Sequence, residues 1–392
     1  MKESNNFQEI KTLCIECVSP INIADGTKLT AKDYLYDAKQ GKAYFLNQLA
    51  WYKFIYAKKL LPAYEKYLTD FREKRSLYEW LQSCGYSIED VVAVIKSSTS
   101  AEVNVVCAEE KKTLNEIICQ SKLSDGTVYI PGSSIKGVIR TAILFDLLQK
   151  NPDVKSKYWK NIEYAINGLR VNKRDLNNVA TALEGELLHK LVLVDKGGKS
   201  VNSRNAVCSV MRGISCSDAY AETKVATAIL QKIDETFDRH AQPKENKISV
   251  FRESILPQSK FYFELKIEKS ITRQIGIEFV DDVLEKLDSF FNFVRNLLEN
   301  VFEEKYSTLF GDMDLANAYL GGNTGFLTKT LFAVLAPDRK QATELIRVLM
   351  NDSFKKHKHM DLDKHISPRT LKTTYYSGKH YLTGLVKVYK DE

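Results

Sequence analysis

The stretch Val128–Leu144, VYIPGSSIKGVIRTAIL, constrains the fold more than any other in this chain. A short β-branched run ends at Pro131, which fixes its own φ and has no N–H to continue a ladder. Gly132 permits a sharp turn. Beyond it, Val138, Ile139, Ala142, Ile143 and Leu147 fall on one helical stripe. The spacing predicts a strand that turns at once into a helix over about Ile135–Lys150, stopped by Asn151–Pro152. Ser133 or Ser134 is the expected N-cap. The first amides of such a helix point outward at the positive end of its dipole, where a phosphate binds readily. Lys136 and Arg140 lie four residues apart on one helix face, and their mutual repulsion favours an anion beside them. The plain alternative is a structural corner with two solvated cations. Gly132 and Gly137 have P-loop spacing, but Val138–Ile139 stand where that loop needs Lys–Ser/Thr.

Other segments extend the pattern. EIKTLCIECVSP alternates and reads as a strand ending at Ser19–Pro20, with a second short strand at Ala43–Leu46. Residues 47–84 read as helical with a break at Pro62, followed by a helix from Ser87 through Val94. Residues 153–200 read as largely helical, Ala206–Met211 as a strand and 219–240 as a helix. Strands are expected at Ile248–Phe251 and Phe261–Ile267, and a long helix over Phe279–Glu304. A loop with three glycines, Gly321–Gly322–Asn323–Thr324–Gly325, precedes Lys329. A helix near Arg339–Met350 and a strand in YLTGLVKVY complete the chain. Such interleaving predicts an α+β fold with helices on one face of antiparallel sheets.

The balance of charge narrows the function. Between Ser353 and Lys390 there are nine Lys or Arg against two Asp, a difference equal to the whole net charge of +7. That is either an RNA-facing surface or a solvated face. Seven cysteines with no paired spacing point to a reduced, cytoplasmic setting. No apolar run approaches the roughly 18 residues of a membrane span, and MKESNNFQEIKTL lacks a secretion-signal pattern. Cys14 and Cys17 have no second pair at zinc spacing, and His357–His359 sit in a basic run that reads as solvated surface. No HExxH, GxSxG or DxD-type cluster occurs. Neither His189 nor Arg273 has a supporting partner. No metal, cofactor or catalytic residue is therefore assigned. The glycine loop can bring main chain close to a ligand, with Asn323 and Thr324 adding hydrogen bonds, or can be a simple turn.

Taken together, several segments resemble one family. YIPGSSIKGVIRTAIL closely resembles the signature of RAMP proteins, the ferredoxin-like RNA-binding subunits of CRISPR systems. VSPINIADG, VMRGISCSDA, FRESILPQSKFYFEL, LGGNTGF and ISPRTLKTTYYSGKHYLTGLVKV resemble its other characteristic pieces in order and spacing. Within the superfamily, the chain resembles the fifth subunit of the type III-A Csm effector complex. It departs at Asn22–Ile23–Ala24, where the family usually carries His-Ile-Gly.

The resemblance implies two ferredoxin-like (RRM-like) RAMP domains, the second degenerate, with helical insertions: residues 1–200, and 201–392 with the glycine-rich loop. It implies a non-catalytic subunit that caps the 3′ portion of crRNA and assists its maturation in antiviral defence. Partners would be the RAMP backbone subunit, the small subunit and recruited nucleases, with no membrane involved. Target RNA cleavage in such complexes belongs to the backbone subunits, and DNA cleavage to the large one. The RNA-binding candidates are then Gly132, Ser133, Ser134, Lys136, Arg140, Arg212, Gly321, Gly322, Asn323, Thr324, Gly325, Lys329, Arg369 and Lys372. Tyr375 and Tyr376 could stack a base. Four or five phosphate contacts would give a salt slope near −3, at about −0.7 each. The competing readings are a nuclease on the same scaffold that processes or trims crRNA, and an assembly protein whose basic face meets an acidic subunit.

Overall fold

Strand β1 (Gln8–Cys17) buries Leu13, Cys14 and Ile15 and forms the middle of the first sheet. The computed structural model, which describes residues 7–87, 99–107, 114–167, 171–238 and 240–391, places β12 (Lys260–Glu268) antiparallel on one side of it. The register sets Leu13 opposite Phe263 and Ile15 opposite Phe261. On its other side lies β16 (Leu385–Lys390), so strands from the two ends of the sequence are neighbours. Short strands β7 (Tyr129–Ile130), β8 (Ile214–Cys216), β9 (Ala219–Tyr220) and β13 (Ala318–Tyr319) complete this sheet.

The second sheet runs in the order β2 (Ala24–Leu29), β6 (Glu116–Gln120), β11 (Pro243–Ile255), β10 (Thr227–Phe237), β5 (Thr99–Val106), β4 (Lys42–Leu46), β3 (Tyr34–Asp37). The hairpin β14 (Leu371–Tyr376) and β15 (Lys379–Leu382) is attached to β10. Two of its pairings, β5 with β10 and β6 with β11, are parallel, so this sheet is mixed rather than antiparallel throughout. The chain crosses between the sheets at residues 255–260, and each sheet draws strands from both sides of residue 200.

Helices cover the sheets where their apolar stripes dictate. Residues 47–84 form α1 (Gln48–Ala57), α2 (Leu61–Thr69) and α3 (Leu77–Ser83), with Pro62 in the first turn of α2. Trp51, Ile55, Leu77 and Leu81 bury against Leu35 and Tyr44 in a small separate core. Helices α4 (Gly132–Lys150) and α7 (Val280–Phe310) lie on the first sheet. There Ile135, Ile139, Val283 and Leu287 meet Leu13, Ile15, Phe263 and Leu265. Each such buried side chain contributes about 1.5–3 kcal/mol. Helices α5 (Pro152–Ile166), α6 (Lys173–Leu188) and α8 (Arg339–Ser353) pack outside them. Among the described residues, no helix is long and apolar enough to cross a membrane.

Three expectations are corrected. Residues 227–237, within the expected helix 219–240, form the long strand β10. TAILQKIDETF has helix-forming composition, but strands on both sides supply its backbone partners and burial, and tertiary context overrides propensity. Residues 206–213 form two 3₁₀ turns, Ala206–Cys208 and Val210–Gly213, instead of a strand. Strands β2, β3, β5, β6 and β14 form where no strand is expected from the local pattern. Residues 88–94 of the expected helix from Ser87 through Val94 lie outside the described residues.

Candidate nucleic-acid interface

The predicted strand–turn–helix is present, with its helix beginning three residues early, at Gly132. Pro131 is the N-cap, and neither Ser133 nor Ser134 caps through its side chain; both sit in the first turn. The Gly132 amide donates to the Asp218 carboxylate at 2.7 Å. Gly132 is also pressed against the chain. A Cβ there would stand 2.5 Å from the Cys216 and Ser217 carbonyl oxygens. The anion at this helix start is thus supplied internally, from the Ser217–Asp218 turn, so the expectation of a free terminus at Gly132 is corrected.

The two cations of α4 do not act as a pair. The Arg140 guanidinium forms a salt bridge with Glu184 of α6. Lys136 is half-buried beside Cys216, and desolvation lowers its pKa. Meanwhile, Ser134, Gly137, Val138 and Thr141, spaced as one helical face, line a cleft of about 450 Å³. Gly321, Gly322, Thr328, Lys329 and Ile23–Ala24 line it too, together with apolar side chains such as Leu287, Phe290 and Phe291. The structure therefore brings the opening motif and the glycine loop together through Ser134, with Lys136 and Arg140 on other faces of the helix.

The glycines serve close approach within the chain. Gly321 has φ +90, and a Cβ on it would lie 2.5 Å from the Asn22 carbonyl oxygen. The Gly322 amide donates to that oxygen at 2.6 Å. A Cβ on Gly322 would lie 2.7 Å from Arg252 Nη1. Asn323 has φ 62 and its Nδ2 reaches Thr383 Oγ1 at 3.4 Å. The Thr324 hydroxyl accepts from Thr328 at 2.8 Å, and Gly325 lies beside the Lys372 stem.

One cation, Lys329, lines the cleft, and a second, Arg252, lies against the cleft-lining Gly322. Arg252 of β11 donates through Nη1 to Asn22 Oδ1 at 2.8 Å, while its buried Nε has no hydrogen-bond partner. Lys329 lines the cleft and is exposed as a residue, yet desolvation and then the Arg252 charge lower its pKa. Neither has a carboxylate partner among the described residues. Arg252 and Asn22 were missed as functional candidates, since nothing local marks two residues that meet from distant strands.

The C-terminal candidates are largely engaged elsewhere. Arg369 Nη1 is 2.6 Å from the fully buried Asp363, whose carboxylate also accepts from Ser367. His359 Nδ1 lies 2.8 Å from the same carboxylate, so this histidine is buried rather than solvated. Lys372 pairs with Asp234 at 3.0 Å, and desolvation nevertheless lowers its pKa. Arg212 is exposed and donates to the Val207 carbonyl at 3.3 Å. Tyr375 and Tyr376 are half-buried. Four of the nine basic residues of the tail, Arg369, Lys372, Lys379 and Lys390, thus face carboxylates of the chain itself.

Residues 14–326 match the model of the RAMP superfamily. The chain belongs to the RAMP superfamily. Relatives of this RAMP chain carry the name CRISPR system Cms protein Csm5. That of Mycobacterium tuberculosis (strain H37Rv) is 23% identical over 402 residues, 97% of each chain. That of Streptococcus thermophilus is 25% identical over 344 residues, 84% of this chain and 81% of the relative. Among solved structures, T. onnurineus Csm5 matches with TM-score 0.59 and 16% identity over 95% of this chain and 99% of its own. A chain of a Csm–crRNA–target RNA ternary complex from a type III-A CRISPR-Cas system matches with TM-score 0.57 and 17% identity, over 97% and 100%. The fold of this RAMP protein is therefore the expected α+β one of ferredoxin-like type.

Proposed function

We propose that this chain is a non-catalytic, crRNA-binding subunit of a type III-A Csm effector complex and holds the guide along the cleft between α4 and the glycine loop. The observation that carries the reading is the convergence of Ser134, Gly321, Gly322 and Lys329 on one cleft, with Arg252 packed against Gly322 behind it. A sugar-phosphate strand suits such a site. The Ser134 hydroxyl and the Lys329 ammonium can contact phosphate without reading bases. The desolvated cations gain more from an anion than solvated ones do.

The subunit would sit beside the RAMP backbone and small subunits, cap the 3′ portion of the guide, and place nucleases that mature it. The names of its relatives, and the Csm–crRNA–target RNA complex to which its structural neighbour belongs, support the assignment to a Csm assembly. The test is reconstitution with the other subunits and guide RNA, comparing the parent chain with Lys329→Glu. Loss of guide retention with an unchanged fold is expected. Unaltered retention refutes the cleft assignment. Specific cleavage by the purified chain, abolished by one substitution, would favour the nuclease reading instead.

A further inference from the structure

Strands β10 and β11 place Glu235 directly opposite Glu245, two like charges on one cross-strand pair. Such a pair costs stability unless a positive group lies between the carboxylates. Glu235 is 6% exposed, and burial, then Glu245, raise its pKa. From the attached hairpin, His380 of β15 brings Nδ1 to 3.2 Å from Glu235 Oε1 and Nε2 to 3.8 Å from Glu245 Oε2. Nδ1 is enclosed and faces the Glu235 carboxylate. One donor atom from each of the three residues lies within 4.8 Å of the others.

We propose that Glu235, Glu245 and His380 form a divalent-metal site of the zinc class, independent of the RNA cleft. Two carboxylate oxygens and one imidazole nitrogen are a donor set that zinc accepts at about 2.0–2.2 Å, with water filling the remaining positions. Small side-chain rotations close the donors onto such an ion. The ion would relieve the opposed carboxylates and use the enclosed nitrogen. Lys247 Nζ lies 3.5 Å from Glu245 Oε1, the carboxylate oxygen other than the one facing His380. The Tyr306 hydroxyl is engaged by the Thr236 carbonyl and the Lys244 amide. Tyr375 meets the His380 ring edge-on at 5.3 Å between centroids. Because the ligands come from β10, β11 and β15, the ion would clip the C-terminal hairpin to the long strands of the second sheet.

The test uses the full chain, treated with a chelator and then titrated with zinc chloride or magnesium chloride. Calorimetry and thermal melting are the readouts. One zinc ion bound per chain, a higher melting temperature with zinc and none with magnesium are expected. Glu245→Gln and His380→Ala should each weaken zinc binding by more than about 100-fold, while His357→Ala, at an exposed histidine, leaves it unchanged. Glu245→Gln keeps the side chain's shape and carries the test if His380→Ala fails to fold. No zinc uptake, or equal uptake in all variants, overturns the site. A melting temperature that follows pH but not zinc identifies a shared proton in place of the metal, and overturns it as well.

Discussion

The Gly322 amide donates to the Asn22 carbonyl at 2.6 Å, joining the late glycine loop to the turn after the first strand. The same asparagine accepts from Arg252 through Oδ1 and donates from Nδ2 to the Glu253 carbonyl at 2.7 Å. One buried residue thus ties the glycine loop, through its main chain, to β11, through its side chain.

Replacing Gly321 with alanine should be costly for two separate reasons. The residue needs φ +90, and the added Cβ would strike the Asn22 carbonyl oxygen at 2.5 Å. A loss of about 2–4 kcal/mol is expected in urea unfolding. A loss below about 0.5 kcal/mol would show that the loop is not held there.

Lys329→Ala and Arg140→Ala should separate in RNA binding. Lys329 lines the cleft, whereas Arg140 is already paired with Glu184. Titrations at several salt concentrations should show Lys329→Ala flattening the salt slope by about 0.7, one phosphate contact. Arg140→Ala should leave the slope as in the parent chain.

Alkaline pH should weaken RNA binding earlier than for a surface lysine. Desolvation, then Arg252, hold the Lys329 pKa below its ordinary 10.5. A lysine with a lowered pKa loses its charge as pH rises through that lower value, and its attraction for phosphate is lost with the charge. In the free chain the sign for stability is opposite. The unfolded state binds more protons between the folded pKa and 10.5, so this residue's contribution to stability rises with pH there. Affinity measured from neutral to alkaline pH should decline in the parent chain and much less in Lys329→Arg.

Glu253 is the buried anchor beneath the same turn. It is fully buried and accepts from Lys122 at 2.5 Å, Thr227 at 2.9 Å and the Gln120 amide at 3.2 Å. Glu253→Ala leaves these donors without their acceptor, and a loss of about 3–5 kcal/mol is expected by thermal or denaturant unfolding. A loss under about 1 kcal/mol would show that water replaces the carboxylate.

Local signals identified the opening corner, the β1, β11 and β12 strands and the long helix α7, because period and punctuation act over a few residues. The same signals misread residues 227–237, whose alanine, leucine and glutamate favour a helix in isolation. Their burial between β11, β14 and β5 makes them a strand. They also placed Lys136 and Arg140 together, which helical spacing does predict. They could not reveal that Glu184 claims one and that Cys216 lies beside the other.

By itself, the sequence determined the superfamily, the α+β class and the presence of a strand–turn–helix and a glycine loop. Those features are written in residue type and short-range order. Only the tertiary structure decided which cations pair with carboxylates, that Asp218 takes the Gly132 amide, and that Ser134 and Lys329 share a cleft. Hydrogen bonds and ion pairs depend on distances of a few ångströms, and the folded chain alone sets those distances between residues far apart in sequence.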